Sequence, residues 1–434
     1  MKRKKQLSIL CFIAVMMLLY SSCKDSDGSK TDYDPTKPVL ITNIEPEAGG
    51  LATKVFISGS NFGTDVSKIK VYFGETPAPV ISSSGEYLYV FSPRQQDGSR
   101  HISVVVENDS TVFEDKTFTY TVNFIVRTVT GKKGTTQFKA GKLTEAEFHQ
   151  PSTLVADQNG NLFLSHWRVP FCLVRINEKE DIVEAVLPGS DATYYALGAP
   201  TVNVNGVVSA INDDGAVYFS FDPIESWTPR ERTILSDGTY TKSNAHSIAA
   251  HPVTGDLYTR YQGNGYLIRI NAETREATLE SETVSPSDSY LVFDPVNPNL
   301  LYIAYDQISC IGLYNLETKE HTIFAGAAGQ AGWMDGRLKE ARFRNPSQMI
   351  VAPNGNLYVA DRANHCIREI VLPDENGEGG MVRTIIGKGG VAGYQDGNPD
   401  DALFNDPRGV AVLPDGTIYI ADRGNNVVRK LTQE

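Results

Sequence analysis

From Gly393 to Leu431 short apolar runs alternate with turn residues: GVAVL, then Pro414-Asp415-Gly416, then the β-branched TIYIA, then VVRKL. Runs of this length, alternating in polarity and punctuated by Pro, Asp and Gly, predict three short strands. One such unit cannot bury both faces of its sheet, so further copies are expected to stack against it.

Aligned on the aromatic centre of the second strand, the copies are NLFLSHW (Phe163), AVYFSFD (Tyr218), DLYTRYQ (Tyr258), LLYIAYD (Tyr302), NLYVADR (Tyr358) and TIYIADR (Tyr419). The expected third strands are LVRIN, RTILS, LIRIN, IGLYN, CIREI and VVRKL. Six such units predict a six-bladed β-propeller. A longer stretch also repeats without a gap at 134–151, 329–346 and 390–407. It carries an aromatic at its fifth place (Phe138, Trp333, Tyr394), an Ala-x-Phe pair and a final proline. VRTVTGKKG (126–134) matches VRTIIGKGG (382–390), which precedes a new blade. Residues 124–130 are therefore expected to supply the last blade's fourth strand, closing the ring and removing an exposed edge.

Residues 38–121 carry a different pattern. VFIS, IKVYF, YLYVF, HISVVV and FTYTV are strand runs separated by Gly, Pro and Asn turns, which predicts a β-sandwich. Ile44, Pro46, Gly49-Gly50, Val55 to Gly59, Asn61-Phe62-Gly63, Val71 to Gly74 and Phe91-Ser92-Pro93 resemble the TIG (IPT) immunoglobulin-like family. Such modules serve as spacers or as binders. NPSQMIVAPNGNLYVADRANHCIREI and DPRGVAVLPDGTIYIADRGNNVVRKL resemble NHL repeats, and the resemblance fades in the middle blades.

The N-terminus changes the picture. A basic start (Lys2, Arg3, Lys4, Lys5), an apolar run from Leu7 to Tyr20 and small residues before Cys23 predict a secretory signal over 1–22. The sequence LLYSSC followed by KDSDGS resembles a bacterial lipoprotein signal, which implies lipid attachment at Cys23 and a flexible tether over 23–37. Loss of the signal removes four basic residues and no acidic ones, taking the net charge from −12 to −16. That balance, with no basic block, argues against nucleic acid and leaves the lipid as the only expected membrane contact. Cys172, Cys310 and Cys366 cannot pair completely and form no CxxC, so neither a disulfide framework nor a zinc site is expected.

Successive loops of an antiparallel blade alternate between two faces, so the three long loops share a face with the residues following each second strand. There, Asp361-Arg362 and Asp422-Arg423 end the last two units, while His166 (then Trp167), Phe221, Tyr261 and Tyr305 take the place of the acid elsewhere. Two readings stand. The acids bind turn N–H groups and the rings pack between blades, or the rings, with Trp333 and Tyr394, form an aromatic platform for sugars. The second reading makes His166, Trp167, Tyr261, Tyr305, Trp333, Tyr394, Arg362 and Arg423 the candidate ligand-binding residues. His149 and His246 lie near inner-strand starts, but without His-x-His, His-Glu-x-x-His or Gly-x-Ser-x-Gly no catalytic residue, metal site or cofactor is assigned.

The sequence therefore reads as an all-β chain: signal 1–22, lipidated tether 23–37, TIG-like sandwich 38–121 and NHL-type propeller 122–434. Its resemblance to lipoproteins of Bacteroidota glycan-uptake systems implies an outer-membrane, surface-exposed protein. It would bind poly- or oligosaccharide beside a transporter, through the propeller's long-loop face. The alternatives are a protein-interaction scaffold and a lyase or hydrolase acting in the channel.

Overall fold

A computed structural model describes residues 32–93, 95–166, 173–188, 196–294, 296–374 and 377–433. The signal segment, Cys23, Trp167 and Cys172 lie outside these residues. The chain divides between Asn123 and Phe124 into two compact units. Among the described residues no helix is long and apolar enough to cross a membrane.

The first unit is a sandwich. One sheet orders Leu40–Glu45, Lys54–Ser60, Tyr87–Phe91 and Val80–Ser83; the other orders Ala48–Gly49, Asp109–Tyr120, Gly98–Val106, Ile69–Phe73 and Thr76–Ala78. Alternation decides the core. Val55, Ile57, Leu88 and Val90 face Val71, Phe73, Ile102 and Phe118, all buried. The intervening Phe56, Tyr87 and Tyr89 point the other way.

The second unit is a ring of six blades, each of four main strands, with short fifth strands, Leu235–Ser236 and Gly336–Arg337, added at the outer edges of blades 3 and 5. From the axis outward, blade 1 is Pro151–Ala156, Asn161–His166, Leu173–Asn177 and Ile182–Leu187. Blade 2 is Thr201–Val202, Val208–Ile211, Val217–Phe221 and Pro229–Thr233. Blade 3 is Ala245–Ala250, Leu257–Tyr261, Tyr266–Ile270 and Glu276–Glu282, and blade 4 is Ser289–Phe293, Leu300–Tyr305, Cys310–Asn315 and His321–Ala325. Blade 5 is Pro346–Val351, Leu357–Asp361, Cys366–Val371 and Met381–Ile386. Blade 6 is Pro407–Val412, Ile418–Asp422, Val427–Gln433 and, from the other end of the unit, Phe124–Gly131. The closing strand pairs antiparallel with the last one, Val126 opposite Leu431, as the repeat of VRT implied. Gly409 allows blade 6 to seat against blade 1, because a Cβ there would meet Leu154 and the Ser152 carbonyl at 2.7 Å.

Blade 2 departs from the sequence alignment. Its first strand comes from residues 196–202, where Gly198 N–H donates to Ile211 O and Ala199 N–H to His246 O of blade 3. The strand of Tyr218 is therefore third in its sheet, not second, and the segment RTILS holds the end of the fourth, its Leu235–Ser236 pairing instead with the outer strand of blade 3. The inserted strand has no aromatic centre of its own, which is why alignment on that residue passed over it.

The axis is bridged by side chains. Gln348 of blade 5 both accepts from Leu154 N–H (2.9 Å) and donates to Leu154 O (2.7 Å) of blade 1. Arg408 of blade 6 donates to the Tyr290 hydroxyl of blade 4 at 2.7 Å. Both bonds skip a blade and cross the channel, closing its middle.

Candidate functional site

The upper face carries the long loops and the lower face carries the turns between first and second strands. Among the described residues, which leave out Trp167, the rings expected on the upper face do not come together as a platform. His166, Tyr261 and Tyr305 are fully buried. Phe221, also buried, ends a third strand and so points to the lower face. The His166 ring lies edge-on to Phe138 and Phe148, at 5.1 and 5.5 Å between centroids. Burial, with His149 nearby, lowers its pKa to about 3. The Tyr261 hydroxyl donates to Gly215 O, and that of Tyr305 lies 2.8 Å from His321 Nε2. Rings held this way cannot offer a face to a sugar.

The reason lies on the neighbouring strand. In blades 5 and 6 the acid ending the second strand meets a buried arginine of the third. Asp361 accepts from Arg368 Nη1 (2.8 Å), Asn364 Nδ2 and Arg344 N–H. Arg368 Nη2 reaches Asp335 of the long loop at 2.6 Å. Asp422, Arg429 and Asp396 repeat the arrangement. Burial lifts both inner carboxyls, to about 6. In blade 1 the corresponding places hold His166, Val174 and Ala140; Val174 sits opposite Leu164 as Arg368 sits opposite Val359. Blade 3 holds Tyr261 with Ile268, and blade 4 holds Tyr305 with Gly312, where a Cβ would lie 2.7 Å from the tyrosine ring. Where the arginine is lost the acid is lost with it, and a ring fills the space. This pairing of third-strand residue with second-strand end was legible in the sequence and was missed.

Trp333 and Tyr394 remain half exposed, but each lies over an outer strand. Trp333 Nε1 donates to Thr384 Oγ1 (3.0 Å), and the Tyr394 hydroxyl lies 2.9 Å from Thr128 Oγ1. They do not converge with one another or with the buried rings. Arg362 and Arg423 are brought together and are already paired. Arg362 bridges Asp306 (3.1 Å) and Asp406 (3.2 Å), while Arg423 donates to Asp406 and to Gln150 Oε1. His246 stands between Asp213 (3.1 Å) and Asp288 (3.3 Å) at the same mouth. Among the described residues no cluster of His, Cys, Asp or Glu is arranged to hold a metal ion.

A cavity opens on the lower face. It is a funnel of about 690 Å³ on the propeller axis, with Val202, Ile350, Val351 and Val412 as apolar wall and Gln158, Asn159, Asn203 and Asn205 as an amide rim. Trp227 lines one side, its ring 4.7 Å from that of Phe163. Val204 and Val296 stand exposed at the edge. Above, the wall continues past Ala250 and Leu291 to Gln348, where the cross-channel bonds end it. A blind apolar funnel with polar groups at its rim has the build of a small-molecule site. A second exposed apolar surface lies on the sandwich, where Phe56 and Tyr89 stack at 5.1 Å, Phe91 packs edge-on to Tyr89, and Tyr87 is open to solvent.

Fold and cavities together define a protein with an immunoglobulin-like sandwich and a closed six-bladed propeller carrying one blind axial funnel. The chain contains an IPT/TIG domain at residues 38–120 and NHL repeats at 343–370 and 404–431. Among solved structures it is similar to an auxiliary nutrient binding protein from Bacteroides ovatus (26% identity, TM-score 0.70, covering 93% of this chain and 100% of that one). It is also similar to an auxiliary nutrient binding protein from Bacteroides thetaiotaomicron (26% identity, TM-score 0.62, 93% and 99%). Among curated proteins it is 25% identical over 309 residues to the Protein SUPPRESSOR OF QUENCHING 1, chloroplastic, of Arabidopsis thaliana. That match covers 69% of this chain, and the chain spans only 26% of that relative's length.

Proposed function

We propose that the protein is an accessory of an outer-membrane glycan-uptake system and that it captures an oligosaccharide in the funnel on the lower face of its propeller. The observation that carries this reading is the funnel itself. Its volume falls in the range of ligand sites, its wall suits the apolar faces of sugar rings, and its amide rim matches their hydroxyls. The likeness to auxiliary nutrient binding proteins of Bacteroides supports it. The lipoprotein-like N-terminus would anchor the chain through Cys23 at the cell surface, beside a transporter.

The test is calorimetry of the chain from residue 24 onward against a panel of soluble glycans. Val204→Asp with Val296→Asp should lower the affinity of the best ligand by about tenfold or more. A panel without a binder, or affinity untouched by the double change, defeats the reading.

The scaffold alternative draws on the aromatic face of the sandwich, since exposed apolar patches mark protein contacts. It would gain if a transporter subunit co-purified with the intact chain and was lost on Phe56→Ser with Tyr89→Ser. The lyase or hydrolase alternative would gain if a glycan bound in the same titrations were cleaved.

A further inference from the structure

A second cavity, of about 340 Å³, lies between blades 2 and 3 on the lower face and shares Asn203 with the funnel. Tyr218 sits opposite Arg232, and Ser220 opposite Arg230, so these four side chains leave blade 2 on one side. Arg275, from the turn joining the last two strands of blade 3, closes the cavity from the other wall.

The charges here are unevenly used. Glu225 accepts from Arg230 Nε and Nη2, at 2.5 and 2.6 Å. Asp222 caps the turn after it through Ile224 N–H. Glu273, the third acid of the lining, is exposed. Arg232 donates to Ser220 Oγ at 3.3 Å, and among the described residues neither Arg232 nor Arg275 forms an ion pair. Burial raises the Tyr218 phenol pKa while the charges of Arg232 and Arg275 pull against it, so both guanidiniums act on that one oxygen.

Two guanidiniums of this cleft thus form no ion pair among the described residues in a chain of net charge −12, and the nearer acid, Glu225, already accepts from Arg230 while feeling the charge of Arg232 only through space. An acidic polymer would be repelled by such a protein at long range and needs local cations to be held. The planar guanidinium fork matches a carboxylate or sulfate with two parallel bonds. We propose that this cavity is a subsite for an oxyanion carried by the ligand, held between Arg232 and Arg275 with the Tyr218 hydroxyl and Ser209 alongside. This rests on the funnel as a glycan site and makes the glycan acidic: a uronic acid or a sulfated sugar.

The experiment titrates the chain from residue 24 onward with two matched pairs: an oligogalacturonate and its methyl ester, and a sulfated oligosaccharide and its desulfated form. Inorganic sulfate, at constant ionic strength, is the third probe, read by thermal shift. At least one acidic form should bind about tenfold tighter than its neutral partner, an advantage removed by R232Q or R275Q. Sulfate should raise the Tm of the parent chain but not of the double variant. Equal affinity for charged and neutral forms, or an advantage that survives both substitutions, overturns the subsite while leaving the funnel intact. Conversely, if no saccharide binds but sulfate stabilises only in the presence of both arginines, the anion site stands and the glycan reading falls.

Discussion

Arg368 donates through Nη1 to Asp361 Oδ2 across 2.8 Å, with neither side chain exposed to solvent. The guanidinium is held further by Asp335 and by the carbonyls of Met334 and Arg342, so the long loop, the second strand and the third strand are tied at one point. Breaking one partner of such a pair leaves a buried charge, costing about 3–5 kcal/mol. Arg368→Val alone should therefore be severely destabilising in urea unfolding. The triple change Asp335→Ala, Asp361→His, Arg368→Val copies the set found in blade 1 and should lose less than the single change. Losses that simply add would show that the three residues are not one unit.

His166 makes stability depend on acid. Its pKa is about 3 when buried and near 6.5 when exposed, so the unfolded chain takes the proton first as pH falls. Its contribution is complete above about pH 6.5 and is lost toward pH 3, with about 2 kcal/mol gone by pH 5. Both ring nitrogens are buried without a hydrogen-bond partner. His166→Phe should fit between Phe138 and Phe148, stabilise the chain at pH 8 and flatten this part of the pH profile. An unchanged slope between pH 8 and pH 5 would place the acid sensitivity elsewhere.

Trp333 and Tyr394 separate the upper face from the lower. Each ring holds a long loop to an outer strand, so Trp333→Ala should cost about 1–3 kcal/mol of stability. Glycan affinity should stay within about twofold of the parent's, because distant sites without shared partners act independently. A Trp333 variant that folds normally but no longer binds would return the site to the upper face.

Trp227 should report occupancy. It lines the funnel, whereas Trp333 is on the far side of the ring. Ligand binding should change tryptophan fluorescence in the parent chain and in Trp333→Phe but not in Trp227→Phe. A signal that follows Trp333 instead would contradict the funnel.

Cys23 should carry the lipid. Cells fed an alkyne fatty acid should label the parent chain, and Cys23→Ala should be unlabelled and released from the membrane fraction. Labelling that persists in the variant would rule out this anchor.

The sequence by itself determined the sandwich, the six blades and the strand that closes the ring. Those features follow from local alternation and turn chemistry repeated along the chain: Val126 could be matched to Val382 because both copies obey the same period. It did not determine where the rings at the strand ends would point. Whether Tyr305 meets solvent or the core depends on Gly312, which leaves open in blade 4 the space that Arg368 fills at the same place in blade 5. The extra first strand of blade 2 was hidden for a related reason. It is held by hydrogen bonds to Ile211 and to His246 of the next blade, not by a repeat of its own. The funnel was the least legible feature. Its walls come from first strands and turns of different blades, and its floor from Gln348 reaching Leu154 across 194 positions of sequence. Periodicity says which face of a strand is apolar; only the closed ring decides which apolar faces meet and which are left open to a ligand.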